Sequence, residues 1–341
     1  MYLISPDKKQ FKANLHSHTT RSDGKLTPEE MKQAYKENGY SVLAITDHEN
    51  PADHTGMSEE DFLLLTGYEA YIRPDPDCTY NAFAPEVHLN LFAKDPHNTA
   101  VVCYNPWCCK YIPEEQHDAL QKVGSQRRRE YTVEYINEFI RTANENGYLV
   151  GYNHPVWSME SEERILAYEG CFSLELVNGS SNVSNQMEYN GPLYDKLLRS
   201  GKRIFVHGAD DNHNHHPFGT AGCDSFGGAT MILADELTYD AVYTAMEKGD
   251  MYCTMGPEIH SVSFDGETVH VECSPVKSIV CHVGSKSPSH ALAEEGETIT
   301  SADLKINPNA RYVRISIKDE QGRYADTRGY FRDELGLPPL E

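Results

Sequence analysis

Eight residues of this sequence are of a kind that binds metals and stand in or just after apolar runs that read as strands: His16, His18, His48, Glu69, His88, His154, Asp211 and His213. Imidazole and carboxylate suit zinc, iron and manganese, and a carboxylate can bridge two ions by giving one oxygen to each. Taken singly, each residue has a plainer explanation. A lone histidine at a strand end is more often a hydrogen-bonded core or surface group than a ligand. Glu69 could stand beside a helix N-cap, and Asp211 could cap a turn. The joint pattern argues for metal, because successive strand ends all deliver ligand-type side chains, and in parallel α/β barrels that end is where active sites are assembled. With a two-residue strand period, Asn14, His16 and His18 share one face while Phe11, Ala13 and Leu15 take the other. Both imidazoles then point into a barrel mouth together. Thr46-Asp47-His48 brings a further side chain to the rim.

The elements that must position these groups are legible from residue 1 to about 257. Strands are expected at 11–18, 41–47, 62–68, 87–92, 148–153, 172–177 and 203–207, alternating with helical patterns, which predicts βα units and a parallel sheet. Thr27, Pro28 and Glu30 form a capping-box pattern with proline at the first helical position, and Gly39 stands where that helix would end. Val133, Ile136, Ile140 and Ala143 recur at helical spacing before Gly147, and a helix from about 238 to 248 ends at Gly249. Between 94 and 130 the pattern lapses into an insertion far longer than a usual βα loop. Beyond Gly256 alternating strands take over around a turn at Asp265-Gly266, which predicts a small all-β domain over 258–341.

The 341 residues include 52 acidic and 30 basic ones, a formal charge of -22. Such a field repels polyanions, so nucleic acid and anionic membrane are disfavoured as partners, although bound cations would offset part of it. The first residues carry charges and no stretch approaches the ~18 apolar residues of a membrane span. A cytoplasmic protein is expected. Nine cysteines without regular spacing predict no disulfide framework, with Cys108 and Cys109 as loop or packing thiols.

The segments Leu15-His16-Ser17-His18 with Ser22-Asp23-Gly24, Ile45-Thr46-Asp47-His48, Gly67-Tyr68-Glu69, Val87-His88, Asn153-His154-Pro155 and Asp211-Asn212-His213 resemble, in order, the motifs of the polymerase and histidinol phosphatase (PHP) family. The resemblance spans 11 to about 215. It implies an α/β fold, a distorted TIM-like barrel of seven βα units, and a site for two or three divalent ions (Zn, Mn or Fe). By position, His16, His18, Glu69 and Asp211 would hold one metal, Glu69, His88 and His154 a second, and Asp23, His48 and His213 a third. The segment from Phe218 onward is similar to a PHP subgroup with a C-terminal β-sandwich.

The implied chemistry is hydrolysis by a metal-bound hydroxide held by Glu69, Asp211 and His213. Arg21 and the run Arg127, Arg128 and Arg129, read as the start of the helix leading to His154, are candidates for binding phosphate, since the guanidinium fork suits it. The plainer alternative for the run is a solvated helix start. Asp47 and Asn153 are candidate orienters of the ligands. The expected function is a phosphoric monoester hydrolase acting on a small phosphorylated metabolite. A hydrolase of another ester or a carbamate, a nucleic-acid processing module and a non-catalytic metal-binding protein are the alternatives. Oligomeric state and natural substrate stay open.

Overall fold

Capping chemistry starts and stops the helices. In the computed structural model, which describes residues 1–75, 77–186 and 189–340, Thr27 accepts from the Glu30 backbone N–H at 3.2 Å while the Glu30 carboxylate accepts from Thr27 N–H at 2.8 Å. This box opens α1 (Pro28–Glu37), and Gly39 beyond it takes the left-handed conformation. Thr132 caps α2 (Val133–Glu145), α3 spans Gly191–Arg199, and Thr238 and Gly249 bound α4 (Tyr239–Lys248). The stripe Tyr135, Ile136, Phe139, Ile140 and Ala143 of α2 is buried, each large side chain contributing roughly 1.5–3 kcal/mol of transfer free energy. The run Arg127–Arg129 precedes this helix; it does not begin it, because Thr132 is the residue that can satisfy the first free N–H groups.

Nine strands form the body that holds the site: β1 (Lys9–Asn14), β2 (Val42–Ile45), β3 (Leu63–Ile72), β4 (Val87–Ala93), β5 (Tyr148–Tyr152), β6 (Ser173–Asn178), β7 (Phe205–Ala209), β8 (Ala229–Ala234) and β9 (Met251–Thr254). Their order in the sheet is β7-β6-β5-β4-β3-β2-β1-β8-β9. The expectation of a seven-unit βα barrel needs two corrections. First, β4 runs antiparallel to both β3 and β5. A parallel neighbour needs a crossover, usually helical, and residues 73–86 hold no helix among those described. Second, the ladder does not close. β7 returns beside β8, but there the Thr230 hydroxyl takes the place of ladder bonds, donating to Gly208 O at 2.8 Å and accepting from Gly208 N–H at 3.0 Å. A Cβ on Gly208 would stand 2.8 Å from Ala229 O. A single parallel bridge, Ser17 to Asn212, spans the remaining gap.

One apolar core fills the space between this sheet and helices α2 and α3, with Leu89, Leu91, Phe139, Val150, Leu174, Leu176 and Leu197 in it. A second core, around Val262, Val271, Ile279 and Ile315, lies in the C-terminal β region. The two regions share hydrogen bonds. β9 pairs with Tyr324–Thr327, which carries the large sheet on through Tyr312–Lys318, Ser278–His282 and Ser289–Leu292. The N-terminal strand Tyr2–Ile4 pairs with Ile259–Phe264, in a second sheet with Thr268–Val276 and Ile299–Lys305.

The insertion at 94–130 brings Lys110 to the site and holds a two-residue ladder between Val101–Val102 and Lys122–Val123. Here the expectation of unlinked thiols is corrected: Cys78 and Cys108 form a disulfide, their Cα atoms 5.4 Å apart. The spacing of cysteines in sequence could not show that two loops separated by 30 residues are pressed together over one cavity. Cys109 remains a buried thiol. Among the described residues no helix is long and apolar enough to cross a membrane.

Candidate metal centre

β1 ends at Asn14, so His16 and His18 stand just past the strand, both fully buried, and the alternation of the strand carries through to them. The Ser17 N–H donates to Thr46 Oγ1 at 3.1 Å and Ser17 Oγ donates to Ala44 O at 2.8 Å, which fixes the backbone between them. His48 follows β2. Glu69 lies inside β3, which extends to Ile72, so it is not at a strand end. His88 stands at the beginning of β4. Because β4 is reversed, its first residues share a rim with the last residues of its neighbours, opposite Tyr71 in register. His154 follows β5, and Asp211 and His213 follow β7.

All nine expected ligands converge. Glu69 is central: its Oε1 lies 3.1 Å from His16 Nε2, 3.1 Å from His88 Nδ1 and 3.4 Å from His154 Nε2, and its Oε2 lies 2.8 Å from His48 Nδ1. Asp211 Oδ1 is 3.2 Å from His16 Nε2 and 3.0 Å from His18 Nε2. At the other end, Asp23 faces His213 Nε2 at 3.5 Å and His48 Nε2 at 3.7 Å. Four overlapping sets bring their donor atoms within 4.8 Å of one another: His18, Asp23, His48 and His213; His16, His18 and Glu69; His16, His154 and Asp211; His48, Glu69 and His88.

The donor set fits divalent cations. The buried atoms Asp23 Oδ1, His48 Nδ1, Glu69 Oε2 and His88 Nε2 have no hydrogen-bond partner, a costly state for a polar atom cut off from water. Several rings are also anchored through their second nitrogen, as metal-ligating imidazoles are. His16 Nδ1 meets Glu175 Oε1 at 3.0 Å, His154 Nδ1 meets Ser158 Oγ at 3.1 Å, and His213 Nδ1 donates to Asp211 O at 3.0 Å.

Electrostatics point the same way. Burial opposes charge on His88, but the Glu69 and Glu86 carboxylates outweigh it and push the ring up to about 10. Burial likewise opposes charge on His213, and the facing Asp23 carboxylate with the nearby Asp211 raises it to about 9. His16 is buried yet held well above its ordinary value by Asp211, Glu69 and Glu175. Burial together with His48 and His213 pulls His18 down to about 4. Glu69, although burial works against its charge, stays well below the carboxylate range because His16, His88 and His48 surround it. The carboxylates thus demand positive charge at this spot.

Glu69, His88, His154, Asp211, His213, Asp23 and His48 line a cavity of about 340 Å³ together with Arg73, Tyr80, Lys110 and Trp157. The expected phosphate-binding arginines are not among these residues. Arg129 is 1% exposed and is bound bidentately to the buried Glu49 carboxylate, with Tyr71 O as a further acceptor at 2.7 Å. Arg127 pairs with Glu130 and Glu138 on the surface, Arg128 pairs with Asp77 at 3.1 Å over the Trp107 ring, and Arg21 donates to Asn50 Oδ1 at 2.9 Å. A charge run in sequence does not reveal which acids will face it.

Of the candidate orienters, Asn153 donates to Glu69 Oε1 at 2.7 Å, and Asp47 accepts from the Thr19 N–H and hydroxyl and from Ser22, each at 2.7 Å. Sequence reasoning missed Glu175, Arg73, Lys110, Trp157 and Tyr111. Tyr111 donates to Asp23 Oδ2 at 3.0 Å and stacks on His48. Glu175 alone had a signal, an acid inside an apolar strand run.

Residues 14–149 match the family model of the PHP domain. The chain is 32% identical over 90 residues to the DNA polymerase/3'-5' exonuclease PolX of Bacillus subtilis, a match covering 21% of this chain and 16% of that protein. Among solved structures, it is similar to a two-domain protein of Bacteroides vulgatus containing a predicted PHP-like metal-dependent phosphoesterase (12% identity, 93% of this chain and 92% of that one, TM-score 0.45). It is also similar to a candidate metal-dependent phosphoesterase of Bifidobacterium adolescentis (17% identity, 69% and 94%, TM-score 0.40). The segment that matches the PHP-domain model, residues 14–149, holds six of the nine converging ligands, from His16 to His88.

Proposed function

We propose that the chain is a metal-dependent phosphoric monoester hydrolase acting on a small phosphorylated metabolite. The observation that carries this reading is the convergence of six imidazoles and three carboxylates, seven of the nine lining one cavity that also has two cations, Arg73 and Lys110, in its wall. Divalent ions bound there would polarise a phosphoryl oxygen and acidify a water enough for it to ionise near neutral pH. His16, His18, Glu69 and Asp211 would hold one ion, Glu69, His88 and His154 a second, and Asp23, His48 and His213 a third, with Glu69 shared. Glu69, Asp211 and His213 line the cavity and would hold the metal-bound hydroxide that attacks. Arg73 spends Nε on Glu86 and Nη1 on Cys78 O, which leaves Nη2 for a substrate oxygen. Lys110 makes no ion pair among the described residues, so its ammonium is available to a phosphate. Trp157 and Tyr80 line the same cavity, where their rings would reduce the water around a bound substrate.

The cavity volume is at the small end of ligand sites, which run from about 300 to 1,000 Å³. The test is hydrolysis of an aryl phosphate and an aryl carbamate by protein stripped with a chelator and reloaded with Zn²⁺ or Mn²⁺. Turnover of the phosphate only after reloading is the expected result. Turnover by protein shown to be metal-free, or of the carbamate alone, would overturn it. A polynucleotide substrate is the second reading, favoured by the similarity to the Bacillus polymerase/exonuclease. The charge of -22 and the small cavity weigh against it.

A further inference from the structure

We propose that Glu175 is a positioning residue of the metal centre, holding three of its ligands at once through hydrogen bonds without itself touching an ion or substrate. The proposal rests on the metal-centre reading above. On β6, Leu174 and Leu176 belong to the core shared with α2 and α3, so Glu175 between them turns to the inside of the sheet, where it is fully buried. A carboxylate in such a place persists only if donors meet it. Glu175 Oε1 meets His16 Nδ1 at 3.0 Å, and Oε2 accepts from the His154 N–H and from Asn178 Nδ2, both at 2.9 Å. The same Asn178 amide donates to Asp211 Oδ2 at 3.1 Å. Its remaining polar neighbour, His207, is 3.9 Å away and is engaged with Ser173 Oγ at 2.9 Å.

Each of these bonds settles something the ligands cannot settle alone. The bond to His16 Nδ1 sets which ring nitrogen keeps its proton when a metal binds, so that Nε2, beside Glu69 and Asp211, is the one freed to ligate. The bond to the His154 N–H supports a backbone with φ of 23°, and the Asn178 link reaches Asp211, whose φ is 53°. Non-glycine residues persist in that region only where their surroundings over-determine them. Glu175 supplies that constraint for ligands on β5 and β7 from the strand between them. An amide at this position would offer one acceptor and one N–H₂ to three donors, so at least one donor would be opposed.

The experiment is competition of Zn²⁺ alone between the full chain and a chromophoric chelator, with stoichiometry by elemental analysis and no substrate present. Glu175→Gln should weaken binding about 10- to 100-fold at the ions served by His16, His154 and Asp211, while the ion of Asp23, His48 and His213 is retained. Ser173→Ala, on the same strand but linked only to His207, controls for disturbance of the strand and should bind as wild type. Should Glu175→Gln fail to fold, Asn178→Ala cuts the Asp211 link with the carboxylate intact and should lower affinity at the same ions. Equal loss at every ion, or no loss beyond that of Ser173→Ala, overturns the proposal. Because metal affinity is the readout, an inactive wild type that binds metal would sink the hydrolase reading and leave this one standing.

Discussion

Replacing Arg129 with methionine separates a structural arginine from a substrate-binding one. Its guanidinium is 1% exposed and meets a fully buried Glu49 carboxylate bidentately, and Glu49 Oε1 also accepts from the Tyr71 N–H at 2.9 Å. Arg129→Met leaves that carboxylate without its counter-charge, and breaking a buried pair on one side costs about 3–5 kcal/mol. For 341 residues, an unfolding entropy of about 2.1 cal/mol/K per residue gives about 0.7 kcal/mol/K, so Tm should fall by about 4–7 °C. The double variant Glu49→Gln with Arg129→Met removes both charges and should recover much of the loss, because methionine fills the volume and glutamine still accepts from Tyr71. Calorimetry of the four proteins measures the coupling. Below the melting range, the KM for an aryl phosphate should be unchanged in Arg129→Met, since Arg129 does not line the cavity. An unchanged Tm together with a raised KM would refute this reasoning and return Arg129 to the substrate.

Arg73→Met and Lys110→Met should each raise KM for the aryl phosphate roughly tenfold or more, the loss of a charged hydrogen bond being about 1.5–3 kcal/mol, whereas Arg21→Met should not; steady-state kinetics decides, and equal KM values in all three would remove the cavity-wall cations from recognition. Metal binding at pH 7 should release about three protons per fully loaded chain, because His16, His88 and His213 are held protonated without metal and must free a lone pair to ligate. Apparent affinity should therefore rise with pH until His213 at about 9 and His88 at about 10 are passed, and a pH-stat titration showing no release would count against the protonated cluster. Gly24→Ala would put a Cβ 2.0 Å from His18 O, a backbone overlap that the Asp23 loop must relieve by moving. Elemental analysis should show loss of the ion at Asp23, His48 and His213 with the others kept, and full stoichiometry would contradict the assignment.

What was legible in sequence was whatever local chemistry dictates. The Thr27, Pro28 and Glu30 box needs only neighbours along the chain to start a helix, and alternation past β1 is enough to put His16 and His18 on one face. What was hidden depends on partners distant in sequence. The reversal of β4 is set by the connection across residues 73–86, and it is what lets His88, a first residue of its strand, meet last residues of others. Arg129 looked like a phosphate ligand because nothing near it in the chain announces Glu49. Glu175 lay inside an apolar run, the one place where an acid is out of keeping with its surroundings and asks for a buried donor.

The pairing of Tyr2–Ile4 with Ile259–Phe264 sets an order on folding. Tyr2–Ile4 has no partner in this sheet until some 255 residues later have been made. Its row of backbone donors and acceptors meanwhile stands open. The large sheet is likewise exposed along β9 until Tyr324–Thr327 arrives, an unprotected edge of the kind that recruits strands from other chains. Both edges are covered by strands of the β region, Ile259–Phe264 and Tyr324–Thr327, so that region shields the two at once. Cutting it away would free two edges at once, and a chain stalled before residue 324 should aggregate before it could be assayed.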